Sequence, residues 1–374
     1  MADDLTGAAD AGLPFATRGY LTNIWLQHSD GMSSAGVDIY DTASRRDTPE
    51  SAAAKVRNLS QSLTTRNRLP IFKKIDSTLL GNLAAEIDAA LESCGLDVAL
   101  VAPAFPAMGR TLIGGRLHLF GKPSNPARFL PWLLQTQRAA GVGQVKIEVL
   151  QYGSAAVAET LTHLIARGAR LIALDGATQD DLRCIVQATQ LLDAKAMLAG
   201  AGALAAEIAA LLPAAGHSEA EPPEPAAQSG RVLLIIGSAN PTTEMQLRYL
   251  LESRPVVLSE PGELFERRAL RDESHVLLCM QPGIDKQFTR VISAITPLLD
   301  GELRGIVLSG GDTAEAVARC FEADGIRLLG EITPGIPWGR FIGGKAAGIR
   351  VATKAGGFGA DEALVKAVDF LVGN

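Results

Sequence analysis

Aromatic residues make up only 5% of this 374-residue chain, and positive charge is in deficit, with 35 Lys and Arg against 41 Asp and Glu. A net charge of −6 leaves no basic face for a nucleic-acid backbone, and sparse rings offer no stacking platform, so nucleic acid is excluded as a partner. Cysteine is equally scarce. Cys94, Cys184, Cys279 and Cys320 stand too far apart for metal-ligand spacing or a disulfide framework, which fits a reducing cytoplasm. No apolar run reaches the roughly 18 residues of a membrane span, and no basic region followed by an apolar stretch marks a signal peptide. The five histidines, His28, His118, His163, His217 and His275, form no metal pattern, so no metal ligand is assigned.

What is present is a hydrophobic fraction of 47% with 20% charged residues, the balance of a globular chain. Its length exceeds what one core usually serves, so two domains are expected. Residues 216–230, GHSEAEPPEPAAQSG, break an Ala/Leu-rich helical stretch with prolines and glutamates and read as a linker between domains at 1–215 and 231–374. Apolar runs at 70–75, 98–101 and 171–174 alternate with helical patterns such as 82–91, where Leu83, Ile87, Ala90 and Leu91 share a face. The alternation resumes at 232–236, 255–258, 276–278, 306–308 and 349–352, and a last helix over 360–371 aligns Leu364, Val368 and Leu371. Continuous apolar strands interleaved with helices predict an α/β fold: two domains, each a mostly parallel sheet flanked by helices.

Two glycine turns stand out. Ser309-Gly310-Gly311-Asp312-Thr313 and Lys354-Ala355-Gly356-Gly357-Phe358-Gly359 each follow an apolar run and precede a helical pattern. Glycine lets backbone N–H groups approach phosphate oxygens, and the first N–H groups of a helix lack partners, so the pair points to a phosphate-bearing ligand. Either turn alone is also what an ordinary strand-to-helix connection looks like. Gly343-Gly344-Lys345 is not a P-loop, because Ala346 stands where Ser or Thr is needed. No G-x-S-x-G elbow is present.

In open α/β sheets ligands bind beyond the carboxyl ends of strands, which directs attention to polar residues after apolar runs. Four such places lie in the first domain: Asp3-Asp4-Leu5-Thr6-Gly7, Asp41-Thr42-Ala43-Ser44-Arg45, Lys73-Lys74-Ile75-Asp76-Ser77-Thr78, and the segment from Ala104 to Arg110. Adjacent carboxylates such as Asp3 and Asp4 repel unless a cation or polar substrate shares them, although Asp4, Thr6 and the 76–78 segment are equally competent helix caps. Arg45 can grip a carboxylate through two parallel bonds or stand in a solvated turn with Arg46. Lys73 and Lys74 alternate across a strand, so one is expected toward a ligand or covered face and the other away. Such a set suits a small hydroxy acid.

Taken together the motifs resemble the four-carbon acid sugar kinase family. ADDLTGAADAG, DTASR, KKIDSTLLGNLAAEIDAAL and APAFPAMGRT resemble its N-terminal domain; GSANPTTEMQL, LSGGDTAEAV, LGEITPGIPWG and KAGGFGADEAL resemble its nucleotide-binding C-terminal domain. The pieces span nearly the whole chain, and ADDLTGAAD with KKIDST is most similar to the D-threonate kinase branch; erythronate and 3-oxo-tetronate kinases are the neighbouring branches. The resemblance implies phosphorylation of the terminal hydroxyl of a four-carbon sugar acid by ATP with Mg²⁺, in a crevice between the domains, and a homodimer. It implies an acid site of Asp3, Asp4, Arg45, Lys73, Lys74, Ile75, Asp76 and Ser77. The implied nucleotide site is Ser238, Gly310, Gly311, Asp312, Thr313, Gly356 and Gly357. Asp76 is the first candidate for the base that accepts the hydroxyl proton, with Asp312 and Asp4 behind it.

Three departures accompany the resemblance. Relatives carry an apolar strand ahead of the Asp-Asp motif, where this sequence starts at Met1; the segment after Gly121 is shorter; and Ala355 stands where a serine is common. These departures motivate a rival reading as a binding protein without catalysis, which ADP formation separates. An aspartyl phosphatase ranks last, because its paired aspartates would be spaced Asp-x-Asp.

Overall fold

Runs such as Val98–Ala102, buried at every position, have no solvent face and must be covered on both sides. The computed structural model describes residues 1–26, 36–68, 71–125, 128–136, 141–215, 230–259, 275–280 and 303–373. The linker expected over 216–230 lies outside the described residues except for Gly230. The chain divides into two compact units: Met1–Asp3 with Thr42–Pro213, and Asp4–Asp41 with Ala214–Asn374.

In the first unit five strands lie in the order Phe72–Lys74, Ala196–Gly200, Val98–Ala102, Ala169–Leu174, Gly141–Val145, and every pairing is parallel. Helices at Pro49–Thr65, Leu83–Cys94, Ser154–Ala166, Gln179–Thr189 and Gly202–Leu211 connect them. The stripe expected on the second of these is buried as Leu83, Ile87, Ala90 and Leu91, and Gly95 ends that helix at φ 61°, a left-handed turn that glycine adopts without steric cost. A small antiparallel sheet of Arg110–Ile113, Arg116–Leu119 and Lys122–Pro123 is anchored by buried Asp175, whose carboxylate accepts the Gly114 and Gly115 amides at 2.6 and 2.8 Å. Burial raises the Asp175 pKa against the pull of these bonds.

Among the described residues the second unit holds a sheet of nine strands. Val256–Ser259, His275–Cys279, Arg231–Ile236, Leu303–Ser309 and Arg350–Lys354 are neighbours in that order, all parallel. The sheet continues through antiparallel Ile336–Ile342 and Gly325–Thr333 to Thr22–Leu26 and Val37–Asp41. Helix Ala363–Val372 packs Leu364, Val368 and Leu371 into a core with Val232, Leu234, Ile236 and Val307. Fully burying each such side chain is worth about 1.5–3 kcal/mol.

Packing crosses the expected domain boundary. Residues 4–41 join the second unit because Thr22–Leu26 pairs with Gly325–Thr333, and helix Leu5–Ala16 lies so close over these strands that a Cβ on Gly12 would meet Ile39 at 2.5 Å. The strands at 22–26, 325–333 and 336–342 were not among the apolar runs picked out above, and they make this sheet mixed at its centre. Among the described residues no helix is long and apolar enough to cross a membrane.

Candidate functional site

In the first unit the polar groups gather where the N-terminal segment runs beside strand Phe72–Lys74. The Met1 ammonium donates to Phe72 O at 3.0 Å, and the Lys74 amide donates to Met1 O at 2.8 Å. Residues 42–45 are tied to the same segment: the Thr42 amide donates to Ala2 O, and the Ser44 and Arg45 amides donate to Asp3 O. Arg45 then reaches back to grip Asp3 through Nε to Oδ2 at 2.9 Å and Nη2 to Oδ1 at 2.8 Å. Burial pushes the Asp3 pKa up, but Arg45, Lys73 and Lys74 outweigh it and hold the carboxyl below its ordinary value.

Lys73 is fully buried and pairs with Glu86 Oε2 at 2.6 Å; Glu86 Oε1 accepts the Ser44 hydroxyl at 2.9 Å. Lys74 is also buried, its Nζ donating to Ile75 O at 3.1 Å. The expected alternation therefore does not expose either lysine: one is closed against Glu86, and the other curls onto its own strand end. Ile75 contributes a core side chain, and its amide donates to Gly200 O at 2.9 Å. Asp76 Oδ2 accepts the amides of Thr78 and Leu80 at 3.0 and 3.2 Å and the Thr78 hydroxyl, while Ser77 Oγ accepts Arg110 Nη1 at 2.5 Å. Arg128 Nη1 donates to Thr78 O.

In the second unit three adjacent parallel strands, Arg231–Ile236, Leu303–Ser309 and Arg350–Lys354, end together, and the turn after each carries expected residues. The turns touch. A Cβ on Gly237 would strike the Thr313 hydroxyl, one on Gly356 would strike Ser238 Oγ, and one on Gly310 would lie 3.4 Å from Thr313 Oγ1. Gly310 adopts φ 106°, a conformation that favours glycine, and its amide donates to Lys354 O at 2.9 Å. The amides of Gly311, Thr313, Gly356 and Gly357 have no acceptor among the described residues, and the buried Ser309 hydroxyl is unpartnered there too. Clustered open N–H groups at a helix start and a glycine turn have the chemistry that suits an anion.

Asp4, expected with the acid site, belongs to this second unit. It caps helix Leu5–Ala16 by accepting the Gly7 amide at 2.7 Å, and it accepts the Thr6 hydroxyl at 3.0 Å. Its Oδ2 would lie 2.5 Å from a Cβ on Gly311, so Asp4 and exposed Asp312 both sit at the start of helix Gly311–Cys320. Asp76 lies in the other unit.

Several groups were missed. Glu86 and Ser44 complete the Lys73 network; Arg110 holds Ser77; and Lys354, fully buried at its strand end, donates to Gly356 O at 2.8 Å, Thr243 Oγ1 at 3.1 Å and Ala355 O at 3.2 Å. Burial lowers the Lys354 pKa to about 8. Gln246 Nε2 lies 2.9–3.0 Å from Phe358, Gly359 and Ala360 carbonyls and clamps the same loop. Lys354 and Gln246 stood inside quoted motifs, but only their packing separates them from neighbouring residues. Among the described residues no group of three His, Cys, Asp or Glu side chains forms a metal cage.

Comparisons with known proteins add to this geometry. Residues 1–208 match the model of a sugar-binding N-terminal domain, and residues 280–364 match that of a nucleotide-binding C-terminal domain. A D-threonate kinase from Cupriavidus necator is 33% identical, covering 97% of this chain and 95% of that protein. A D-threonate kinase from Bordetella bronchiseptica is 30% identical over 98% of this chain and 95% of its own length. A D-erythronate kinase from Heliobacterium modesticaldum is 28% identical over 100% and 96% respectively. Among solved structures, a Haemophilus influenzae protein superposes with TM-score 0.73 at 22% identity, covering 98% of both chains. A Salmonella typhimurium protein described as a putative tRNA synthase gives TM-score 0.79 at 20% identity, over 98% of this chain and 97% of that one. At these identities the two structures bear on the fold alone.

Proposed function

As this chain belongs to the four-carbon acid sugar kinase family and is an ATP-dependent phosphotransferase with an alcohol acceptor, we propose that its acceptor is D-threonate and that phosphate is transferred to the 4-hydroxyl. The choice of acid rests on likeness to D-threonate kinases along nearly the whole chain. The observation that carries the kinase reading in the geometry is the set of open amides at Gly311, Thr313, Gly356 and Gly357 around three strand ends. These amides, with the Ser238 hydroxyl, take the phosphates of ATP, while Gly310 shapes the turn and Asp312 faces the accompanying cation.

Within 1–215 we assign the acid to the Asp3, Arg45 and Lys73–Ser77 neighbourhood, and within 231–374 the nucleotide to the glycine turns. The buried Asp3–Arg45 and Lys73–Glu86 pairs act by fixing the backbone of residues 1–3, 42–45 and 73–77, so that Lys74, Asp76 and Ser77 meet the substrate in one arrangement. Asp76 accepts the proton of the attacking hydroxyl. Its Oδ2 is committed to the turn, which leaves Oδ1 for that task. Asp4 and Asp312 are the second-ranked acceptors, at the start of helix Gly311–Cys320.

Mg²⁺ usually keeps its waters and is held by substrate phosphates with one or two carboxylates, and exposed Asp312 at the start of helix Gly311–Cys320 is suited to that part. When bound with ATP it neutralises charge on the phosphate oxygens. The four unbridged cysteines suit a reducing cytoplasm, and the family resemblance implies a homodimer, which sedimentation velocity tests.

An ADP-release assay with ATP, Mg²⁺ and a panel of D-threonate, L-threonate, both erythronates and their 3-oxo forms tests the assignment. The highest kcat/KM is expected on D-threonate. Preference for another member would replace the substrate, and no ADP with any member would favour a binding protein.

A further inference from the structure

The Lys354 side chain sits under the glycine turn, and among the described residues no carboxylate pairs with it. Its ammonium has three protons and three acceptors: Thr243 Oγ1 from helix Pro241–Ser253, and the carbonyls of Ala355 and Gly356. In a trans peptide unit the C=O and N–H point in opposite directions. A carbonyl of Ala355 turned toward Nζ therefore turns the Gly356 N–H away from it, and a carbonyl of Gly356 turned inward does the same for the Gly357 N–H. These are the two amides of the turn left without an acceptor among the described residues.

Two further bonds brace the arrangement. Thr243 Oγ1 lies within hydrogen-bond distance of both Gly356 O, at 2.9 Å, and Ser238 Oγ, at 3.2 Å, which ties the turn at 354–357 to the turn at 237–240. Gln246 holds residues 358–360 from the next turn of the same helix. The lysine is thus the centre of a polar knot whose outer face is a row of N–H groups.

Resting on the assignment of these turns to the nucleotide, we propose that Lys354 is a positioning residue of the nucleotide site. It holds the 355–356 and 356–357 peptide units with their carbonyls inward and their N–H groups presented to the phosphates. It acts through the backbone of Gly356 and Gly357.

The role depends on the ammonium form. Loss of one proton leaves two donors for three acceptors and places a lone pair against a carbonyl or hydroxyl oxygen. Burial alone lowers the Lys354 pKa to about 8, with no neighbouring charge contributing, so this loss falls within an accessible range. The groups that face Nζ from the adjoining helix and turn are the Thr243 hydroxyl and the two carbonyls; Asp312, at the start of helix Gly311–Cys320, is exposed. Bound phosphate would favour the charged form, and ADP affinity should fall as pH rises through the range that deprotonates the lysine.

The test is titration calorimetry of the full chain with ADP and, separately, adenosine, from pH 7 to 9.5, for wild type, Lys354→Met and Thr243→Val. Wild type is expected to lose at least fivefold in ADP affinity across this range while adenosine binding stays level. Lys354→Met is expected to bind ADP at least tenfold more weakly at pH 7, with a flat pH profile and unchanged adenosine binding. Thr243→Val, which keeps the ammonium but removes one acceptor, is expected to fall between them and to serve if Lys354→Met does not fold. ADP affinity of Lys354→Met within twofold of wild type, or a wild-type profile that is flat in pH, would overturn the proposal. Failure of wild type to bind ADP at all would overturn the nucleotide assignment itself, and this inference with it.

Discussion

Arg45 holds Asp3 through two parallel hydrogen bonds of 2.9 and 2.8 Å, and the same Asp3 carries a main-chain carbonyl that anchors the Ser44 and Arg45 amides. Asp3 is almost wholly buried, so removing Arg45 leaves its carboxylate without its hydrogen-bonded partner. Arg45→Ala should cost roughly 3–5 kcal/mol of stability, as breaking a buried pair does. The folded pKa of Asp3 lies below the ordinary 3.8, so its stabilisation is complete above that value and is lost as pH falls through the folded pKa. The gap between wild type and variant in urea titrations should hold above pH 3.8 and close as pH falls from there through the folded pKa; a gap that persists unchanged through that fall would refute the ion-pair account.

The Lys73–Glu86 pair invites a double-mutant cycle. Both side chains are buried at 2.6 Å, so Lys73→Met or Glu86→Leu alone should destabilise by about 3–5 kcal/mol. The double variant should recover most of that loss, since two apolar side chains leave no uncompensated charge. Additive losses in chemical denaturation would mean that the two residues act separately.

Gly311 has no room for a side chain. A Cβ would approach Asp4 Oδ2 at 2.5 Å and Thr6 Oγ1 at 3.2 Å. Gly311→Ala should cost about 1–3 kcal/mol and raise the KM for ATP at least tenfold, with a smaller change in the KM of the acid. In thermal denaturation Gly311→Ala should cost less in an Asp4→Ala background than in wild type, because Asp4 also caps helix Leu5–Ala16 and its own loss is subtracted in that comparison. Equal cost in both backgrounds would argue against the contact.

Lys354 makes a prediction about stability as a function of pH. Its pKa falls from 10.5 in the unfolded chain to about 8 in the folded one, so between these values the unfolded state binds more protons. Stability should then rise with pH across that window, the cost of the buried charge being complete below about 8. Relative to Lys354→Met, wild type should gain up to roughly 3 kcal/mol from pH 8 to 10.5. A constant difference would mean that the lysine titrates normally.

The parallel strands and glycine turns were legible because strand, turn and helix leave a local signature. Val232–Ile236 is unbroken apolar sequence, Gly310 takes a φ of 106° that favours glycine, and Gly311 sits where no side chain fits. The allegiance of 4–41 was not legible, since the pairing of Thr22 with Leu328 is a long-range register that no local pattern encodes. Strands 325–333 and 336–342, with exposed and half-buried positions intermixed, lack the continuous apolar run that marked the others. Of the candidate residues, types were readable but states were not. Lys73 looks like a ligand-binding lysine until Glu86 is found against it, and Lys354 looks like a strand end until its three acceptors are seen.

The proposed reaction is transfer of the γ-phosphoryl group of ATP to the terminal hydroxyl of a four-carbon acid. Incubation with ATP, Mg²⁺ and D-threonate, followed by ³¹P NMR with proton coupling, reads both the transfer and its position. The expected product is a phosphomonoester whose phosphorus couples to the two C4 protons and which forms in step with ADP. ADP appearing only with inorganic phosphate, or phosphorus coupled to the single C3 proton, would contradict the account.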